Sequence, residues 1–519
     1  MQLKQNLFGG LTAAVVALPL GLAFGVASGL GPTAGIYGAI ILGFFASLLG
    51  GTPTQISGPT GPMTVVMASA VITLHHDIHL IATTIILAGL FQILFGVFKL
   101  GKFVRYIPYP VISGFMSGIG IIIIVLQINP YLGLTSDASV IHTLINLPSK
   151  LTHINLSAFI LATVTLLIVL FTPQKIAKVI PSPLIALFLL TPLSILLGLD
   201  VKTIGEIPSS LPSMVMPTLD LEHYKTIITL GFTLAILGML DTLLTSIVAD
   251  SITHTKHKPN KELIGQGIGN ALCGLFGAIP GAGATMRTVI NVKSGGTHRL
   301  SGIIHSLTLL LVIIFLAPIA SKIPMAVLAG ILIKVGIDIL DYRFLKIWKE
   351  SPRSDLSVMM VVFMTTVFID LITAVAVGIL LASLLIVYRI TRETQVVLES
   401  GTTSNTKYTL DENTYLLRID GAFFFGSSAA FEEKAASILD TKRFIIDITH
   451  VPFVDLTAIF TLKDLVSKLK ELDIEVLIIA KENDIKQLKK LNKTGTFNDV
   501  VFYHNMSEFS TSQAPLLSS

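Results

Sequence analysis

From its first residues to about residue 390 the chain is almost continuously apolar, and this run decides what it can fold into. A helix crossing a bilayer needs about 20 apolar residues. Stretches of this character fall near 9–29, 33–50, 62–75, 80–98, 108–128, 155–172, 181–199, 226–250, 262–278, 284–293, 299–318, 323–340, 355–371 and 373–390. With 52% hydrophobic and only 13% charged residues, the 519-residue chain is no soluble globular protein. It reads as an α-helical polytopic membrane protein of about 14 spans. The start, MQLKQNLFGG, leads straight into the first span without a cleavage pattern, so a retained first helix is expected.

Basic residues set the orientation. Lys99, Lys102 and Arg105 follow the fourth span, Lys175 and Lys178 the sixth, and Lys256, Lys258 and Lys261 the eighth. Lys293 and Arg299 follow the tenth span, Arg343, Lys346, Lys349 and Arg353 the twelfth, and Arg389 and Arg392 the last. All lie after even-numbered spans, which predicts both termini on the cytoplasmic side of a cell (inner) membrane. The single cysteine, Cys273, sits in an apolar run, excludes an internal disulfide and reads as packing.

Two of the segments, 62–75 and 284–293, are too short to span. Each follows a helix-breaking stretch, Gly58-Pro59-Thr60-Gly61-Pro62 in one case and Pro280-Gly281-Ala282-Gly283 in the other. At an offset of 224 residues Thr64-Val65-Val66 falls on Thr288-Val289-Ile290. Paired broken segments in two halves point to an inverted-repeat transporter with its site between them. Irregular backbone at membrane depth must be buried in protein or face a watery cavity. A helix restarting there aims free N–H groups and about half a positive charge at that cavity. Arg287, in the first turn after the second break, adds a full charge, so the place should attract an anion.

Asp241 lies near the middle of the eighth span, where a carboxylate costs roughly 2.5–3.5 kcal/mol on insertion scales. Thr245 is one turn on, on the same face. With unwound backbone carbonyls they make a hard oxygen set suited to sodium or to a proton relay; the bland alternative is an Asp bonded within the bundle. Arg287 has three readings: an anion contact, a partner for Asp241, or a side chain snorkelling out of a short helix. Thr60 and Thr285 begin the two short helices and suit capping, substrate contact or both. Asn291 reads as a packing hydrogen bonder. His75, His76, Asp77 and His79 read as a solvated loop rather than a metal site. Glu262 and Asp370 sit at span ends and read as interfacial. The Lys481–Lys493 stretch reads as a solvated face. No nucleophile–base arrangement or phosphate loop is present, so no enzyme, cofactor or nucleic-acid partner is expected.

After a polar linker at 391–409, the pattern changes. Tyr415–Ile419, Arg443–Ile448, Ile474–Ile479 and Val500–Phe502 read as strands. Ser427–Leu439, Leu456–Leu472 and a Lys-rich run to Leu491 read as helices. This predicts a small cytoplasmic α/β domain over 410–507 and a disordered tail at 508–519. The transport domain is expected at 1–390.

Several motifs carry a resemblance over nearly the whole chain. They are Gly10-Leu11-Thr12-Ala13 with Ala17-Leu18-Pro19, Gly31-Pro32-Thr33-Ala34-Gly35-Ile36-Tyr37-Gly38, Gly58-Pro59-Thr60-Gly61-Pro62, Gly283 to Gly296, and the C-terminal α/β domain. Together they resemble the SulP family of anion transporters, the bacterial relatives of solute carrier family 26, with a C-terminal STAS domain. The resemblance implies a UraA-like seven-plus-seven inverted repeat, core and gate domains, elevator-like motion and a homodimer. Stretches such as Phe91–Lys102, Ser113–Gly120 and Lys261–Asn270 are similar to the cyanobacterial bicarbonate-transporting members. That likeness implies sodium as coupling ion at Asp241, Thr245, Gly283, Ala284 and Thr285, and bicarbonate beside Thr60, Ala284 and Thr285. Arg287 departs from it: an arginine there belongs to sulfate, chloride and dicarboxylate members. Leu20, in contrast, stands where many of those carry Gln. In the STAS-like domain Leu456 follows Asp455 where phosphorylated relatives carry Ser or Thr, and Thr457 is out of register.

The resulting expectation is a sodium-coupled bicarbonate symporter. Its rivals are a proton-coupled symporter or exchanger of sulfate, chloride or dicarboxylate, and an anion channel or membrane sensor with STAS output.

Overall fold

The computed structural model describes residues 2–135, 140–173, 176, 180–205, 212–218, 220, 222–347, 349–369, 371–400, 410, 413–436, 441–493 and 495–513. Lys175, Lys178, Asp370, linker residues 401–409 and tail residues 514–519 lie outside the described residues. The chain divides into two compact units, Met1–Ile379 and Leu380–Ser519.

Each apolar stretch of the sequence coincides with a helix. In order these are α1 (Gln2–Ala27), α2 (Pro32–Leu49), α3 (Gly61–Thr73), α4 (Ile78–Val97), α5 (Tyr109–Leu126), α6 (Leu156–Phe171), α7 (Ser182–Leu196) and α8 (Tyr224–Thr253). Then come α9 (Pro259–Leu275), α10 (Thr285–Lys293), α11 (Leu300–Ala320), α12 (Met325–Ile339), α13 (Arg353–Phe368) and α14 (Leu371–Glu393). Among the described residues six helices are long and apolar enough to cross a membrane by length and composition. Prolines open several of them, among them α2, α3, α5, α7 and α9, where a missing N–H costs nothing. An amphipathic helix at Val140–Lys150 was not expected from the sequence; it has no long apolar run.

The helices pack in two groups. In one, α9 lies against α4 and α2, α8 against α4, and α1 and α2 against each other and against α11. In the other, α5 packs on α13 and α12, α6 on α12, and α7 on α6. Glycine sets the α4–α9 distance: a Cβ at Gly89 would lie 2.5 Å from Gly267 O, and one at Gly267 would lie 2.5 Å from Gly89 O. Without Cβ atoms the two backbones touch, a packing mode favoured where lipid offers no hydrophobic drive.

The two helix breaks meet. Ser57–Gly58 (β1) and Ala282–Gly283 (β2) pair antiparallel, Ser57 opposite Gly283 and Gly58 opposite Ala282. From this pair α3 and α10 run off, with Thr60 and Ala284 at the two N-cap positions.

The second unit holds a five-stranded sheet in the order β3-β4-β5-β6-β7. The strands are β3 (Gln395–Ser400), β4 (Thr414–Asp420), β5 (Arg443–Asp447), β6 (Glu475–Ile479) and β7 (Val501–Tyr503). β3 is antiparallel to β4 and the rest are parallel. One sheet face packs under α15 (Phe425–Ala436), α16 (Leu456–Glu471) and α17 (Glu482–Lys490); the other meets α18 (Met506–Gln513). Two expectations are corrected. Residues 395–400 of the supposed linker are an edge strand, because Val396 and Leu398 pack on the core. The supposed tail is helical through Gln513, because Met506 and Phe509 are buried against the sheet.

Candidate functional site

The site is built around Gly283. Its N–H donates to Thr242 Oγ1 at 3.0 Å, and its carbonyl accepts from Thr245 Oγ1 at 2.9 Å. Thr245 Oγ1 is also 2.7 Å from Thr285 Oγ1. One turn of α8 therefore stitches the end of β2 to the start of α10 and gathers three oxygens, two hydroxyl and one carbonyl. The break is held from behind by Asn270, which accepts from Gly281 N at 2.9 Å and donates to Gly281 O at 3.0 Å.

Asp241 sits one turn before Thr245 and faces Thr60, in the field of Arg287. Its Oδ2 is buried with no hydrogen-bond partner, and so is Thr60 Oγ1. With Pro62, Val111, Phe115, Leu237 and Leu244, Asp241 lines a cavity of about 20 Å³, room for one water-sized occupant. The Asp241 carboxylate, one helical turn from the Thr245, Thr285 and Gly283 oxygens, adds the donor type that suits a hard cation such as sodium.

Arg287 lies on the inner face of α10 and is 2% exposed. Its Nη2 donates to Pro59 O, and its Nη1 is buried without a partner. It forms no salt bridge with Asp241, and such burial excludes snorkelling. Gly58 makes the placement possible: a Cβ there would stand 2.6 Å from Arg287 Nη1. A guanidinium has five N–H donors, so this one retains several for a ligand.

The remaining expected residues fall as follows. Thr60 is the N-cap of α3 but makes no side-chain cap bond, and Thr285 is the first helical residue of α10 rather than its cap. The capping expectation is therefore corrected at both: Thr60 leaves its hydroxyl unpaired and Thr285 spends its own on Thr245. Ala284 N–H donates to Ile56 O at 2.8 Å, and Ala284 O accepts from Thr288 N at 2.9 Å, so an anion contact through that N–H is taken. Asn291 donates to Thr54 O and to Ser301 Oγ, each at 2.9 Å. Asp77 caps α4, accepting from His79 N at 2.8 Å, and His79 Nδ1 meets Met216 O at 2.8 Å. Cys273 is fully buried.

Glu262 is corrected most. Read as interfacial, it is 1% exposed and accepts four hydrogen bonds. Its neighbours Lys258 and Lys261 made it look like part of a wet span end; no local signal gives its burial.

Outside the helices Asp220 and His223 pair at 2.6 Å. The hydrogen bond raises the His223 pKa above the usual histidine value and lowers that of Asp220. Glu222 completes a group of three potential ligands there.

A cavity of about 620 Å³ opens between the two helix groups. Leu20 of α1 and Met286 and Ile290 of α10 line one wall; Ile331 and the ion pair Lys334–Asp338 of α12 line the other.

Two broken helices joined tip to tip, with a polar site at their joint and a cavity between two helix groups, define a membrane transporter rather than an enzyme. The sulfate permease family model matches residues 3–362, and the STAS domain model matches residues 406–509. The chain belongs to the sulfate permease family, with a C-terminal STAS domain. It is 43% identical over 522 residues to the bicarbonate transporter BicA of Picosynechococcus sp., covering 96% of this chain and 92% of that one. The solved transmembrane domain of a cyanobacterium BicA matches with a TM-score of 0.66 at 48% identity, covering 73% of this chain and 97% of that one. The murine solute carrier 26 family member A9 anion transporter, in its inward-facing state, matches with a TM-score of 0.85 at 21% identity. It covers 98% of this chain and 91% of that one, a likeness of fold.

Proposed function

We propose that the chain is a sodium-coupled bicarbonate symporter. It works as a homodimer in a cell inner membrane with both termini cytoplasmic. The group containing α1–α4 and α8–α11 moves against the other group in an elevator-like step. The 43% identity to a bicarbonate transporter over 96% of the chain supports the anion.

One observation carries the coupling. An unpartnered carboxylate oxygen on Asp241 and an unpartnered guanidinium nitrogen on Arg287 are both buried around one strand pair, and they form no salt bridge with each other. A buried, unpaired charge costs several kcal/mol. Sodium held by Asp241, Thr245, Thr285 and the carbonyls of Gly283 and Ala284 would offset the carboxylate. Bicarbonate beside Thr60, Thr285 and Arg287 would offset the guanidinium. Each ion lowers the cost of the other by Coulomb attraction at close range. Movement with only one site filled would carry an unpaired charge through the apolar wall, so joint occupancy is favoured.

Arg287 supports a second reading. A guanidinium fork suits a doubly charged or bidentate anion, so proton-coupled symport or exchange of sulfate, chloride or dicarboxylate is the rival. Uptake of labelled bicarbonate and sulfate into proteoliposomes, with sodium or choline outside, separates them. Bicarbonate uptake driven by sodium is expected, and Asp241→Asn should abolish the sodium dependence. Sodium-independent sulfate uptake would sink the symport reading.

A further inference from the structure

Glu262 stands in the first turn of α9, is 1% exposed, and takes no part in the ion sites above. Its Oε2 accepts from Gly51 N and Thr52 N, both at 2.7 Å. Its Oε1 accepts from Gln55 Nε2 at 2.9 Å and from Gln266 Nε2 at 3.0 Å. All four partners donate to it, the pattern of a carboxylate held by hydrogen bonds on both oxygens.

The direction of these bonds matters. Each glutamine turns its NH2 to Glu262, and so its oxygen the other way. Gln55 Oε1 then accepts from Ser246 Oγ at 2.9 Å, and Ser246 Oγ is 2.8 Å from Thr52 Oγ1. Gln266 Nε2 also donates to Ser57 Oγ. Two arms therefore leave one carboxylate. The arm through Gln266 ends on β1, whose Ser57 pairs with Gly283 and which leads to Thr60. The arm through Gln55 ends on Ser246, next to Thr245, whose hydroxyl binds Gly283 O.

We infer that Glu262 is a positioning residue for transport: it fixes the Gly51–Ser57 segment, and through Gln266 and Gln55 it sets the place of β1 on the anion side and of the Thr245 turn on the cation side. The inference rests on the proposed symport reading. It touches neither ion itself.

The two arms are separable. In proteoliposomes the KM for bicarbonate and the half-saturating sodium concentration are measured for the wild type, Glu262→Gln, Gln266→Leu and Gln55→Leu. Glu262→Gln keeps the shape and removes the charge. It should raise both constants about fivefold, because charge-assisted hydrogen bonds are about twice as strong as neutral ones. Gln266→Leu should raise the bicarbonate KM more than the sodium constant, and Gln55→Leu the reverse. Maximal rates per folded protein should change less than either constant, which a general loss of fold would not produce. Folding is checked by monodispersity and thermal unfolding.

A folded Glu262→Gln with both constants at wild-type values overturns the inference. Should that variant not fold, unchanged constants in the two leucine variants overturn it equally. Failure of the symport reading shows differently, in the wild type itself. If the wild type carries another anion, the KM for that anion is the constant that decides.

Discussion

Gly58 and Arg287 show how one missing methyl group positions a charge. The guanidinium rests against β1 because residue 58 has no side chain: a Cβ would lie 2.6 Å from Nη1 and 3.2 Å from Ala39 Cα. Gly58→Ala must therefore displace either the backbone pair or the guanidinium, and the side chain is the softer of the two. The KM for the transported anion should rise about tenfold, about 1.4 kcal/mol, with a smaller change in maximal rate. Concentration-dependent uptake checks this. An unchanged KM in a folded Gly58→Ala would mean that Arg287 does not contact the anion. At this scale the sequence was readable where it was unusual. Asp241 and Arg287 stand out because ionised groups are rare at membrane depth. Glu262 did not, because it follows Lys258 and Lys261 and looks like the wet end of a helix. Its four donors come from residues 51–55 and 266, and only the fold brings the first three to it. The absence of cap bonds at Thr60 and Thr285 was also unreadable, since capping and free hydroxyls ask for the same residue type.

Among the elements, the paired helix breaks were legible and their contact was not. Glycine and proline in matching places marked both interruptions, but the β1–β2 pairing needs residues 57–58 and 282–283, far apart in the chain, to meet. The STAS domain shows the converse. Its alternating strands and helices were plain in the sequence, except at its edges. β3 was hidden beside a polar stretch, and α18 inside a Ser-rich one. Both earn burial only against the finished sheet. This gives a test of the domain boundary. A fragment of residues 394–513 keeps β3, whereas 410–513 lacks it. Losing the partly buried Val396 and Leu398 should cost about 2 kcal/mol. For a domain near 100 residues that lowers the midpoint of thermal unfolding by roughly 10 °C. Circular dichroism melts of the two fragments compare them directly. Equal midpoints would make 395–400 a linker in energetic terms, whatever its hydrogen bonds.

For the membrane unit as a whole, the division into two helix groups follows from contacts that no local pattern encodes. α1, α2 and α4 pair with α8–α11 across a long stretch of chain, as do α5–α7 with α12 and α13. Hydrophobicity varies from helix to helix within each group, so the sequence marks spans without marking groups. The division has a functional consequence because the cavity of about 620 Å³ lies between the groups. That is far more than one water's share of about 30 Å³, so solvent and small reagents should reach it. Met286 on α10 is 51% exposed and lines this cavity, whereas Cys273, the single native cysteine, is fully buried. Met286→Cys therefore places one reactive thiol on the wall that carries the candidate site, in a background expected to be silent. A charged thiol reagent should modify it readily. If the groups move against each other during transport, sodium and bicarbonate together should change that rate several-fold, because joint occupancy redistributes the protein between open and closed cavities. Either ion alone should do less, since one filled site leaves an unpaired charge to be moved. A rate identical with both ions, with either and with neither, in protein that still transports, would require the cavity to stay open throughout. The elevator-like step would then be wrong, and the static cavity would favour a channel.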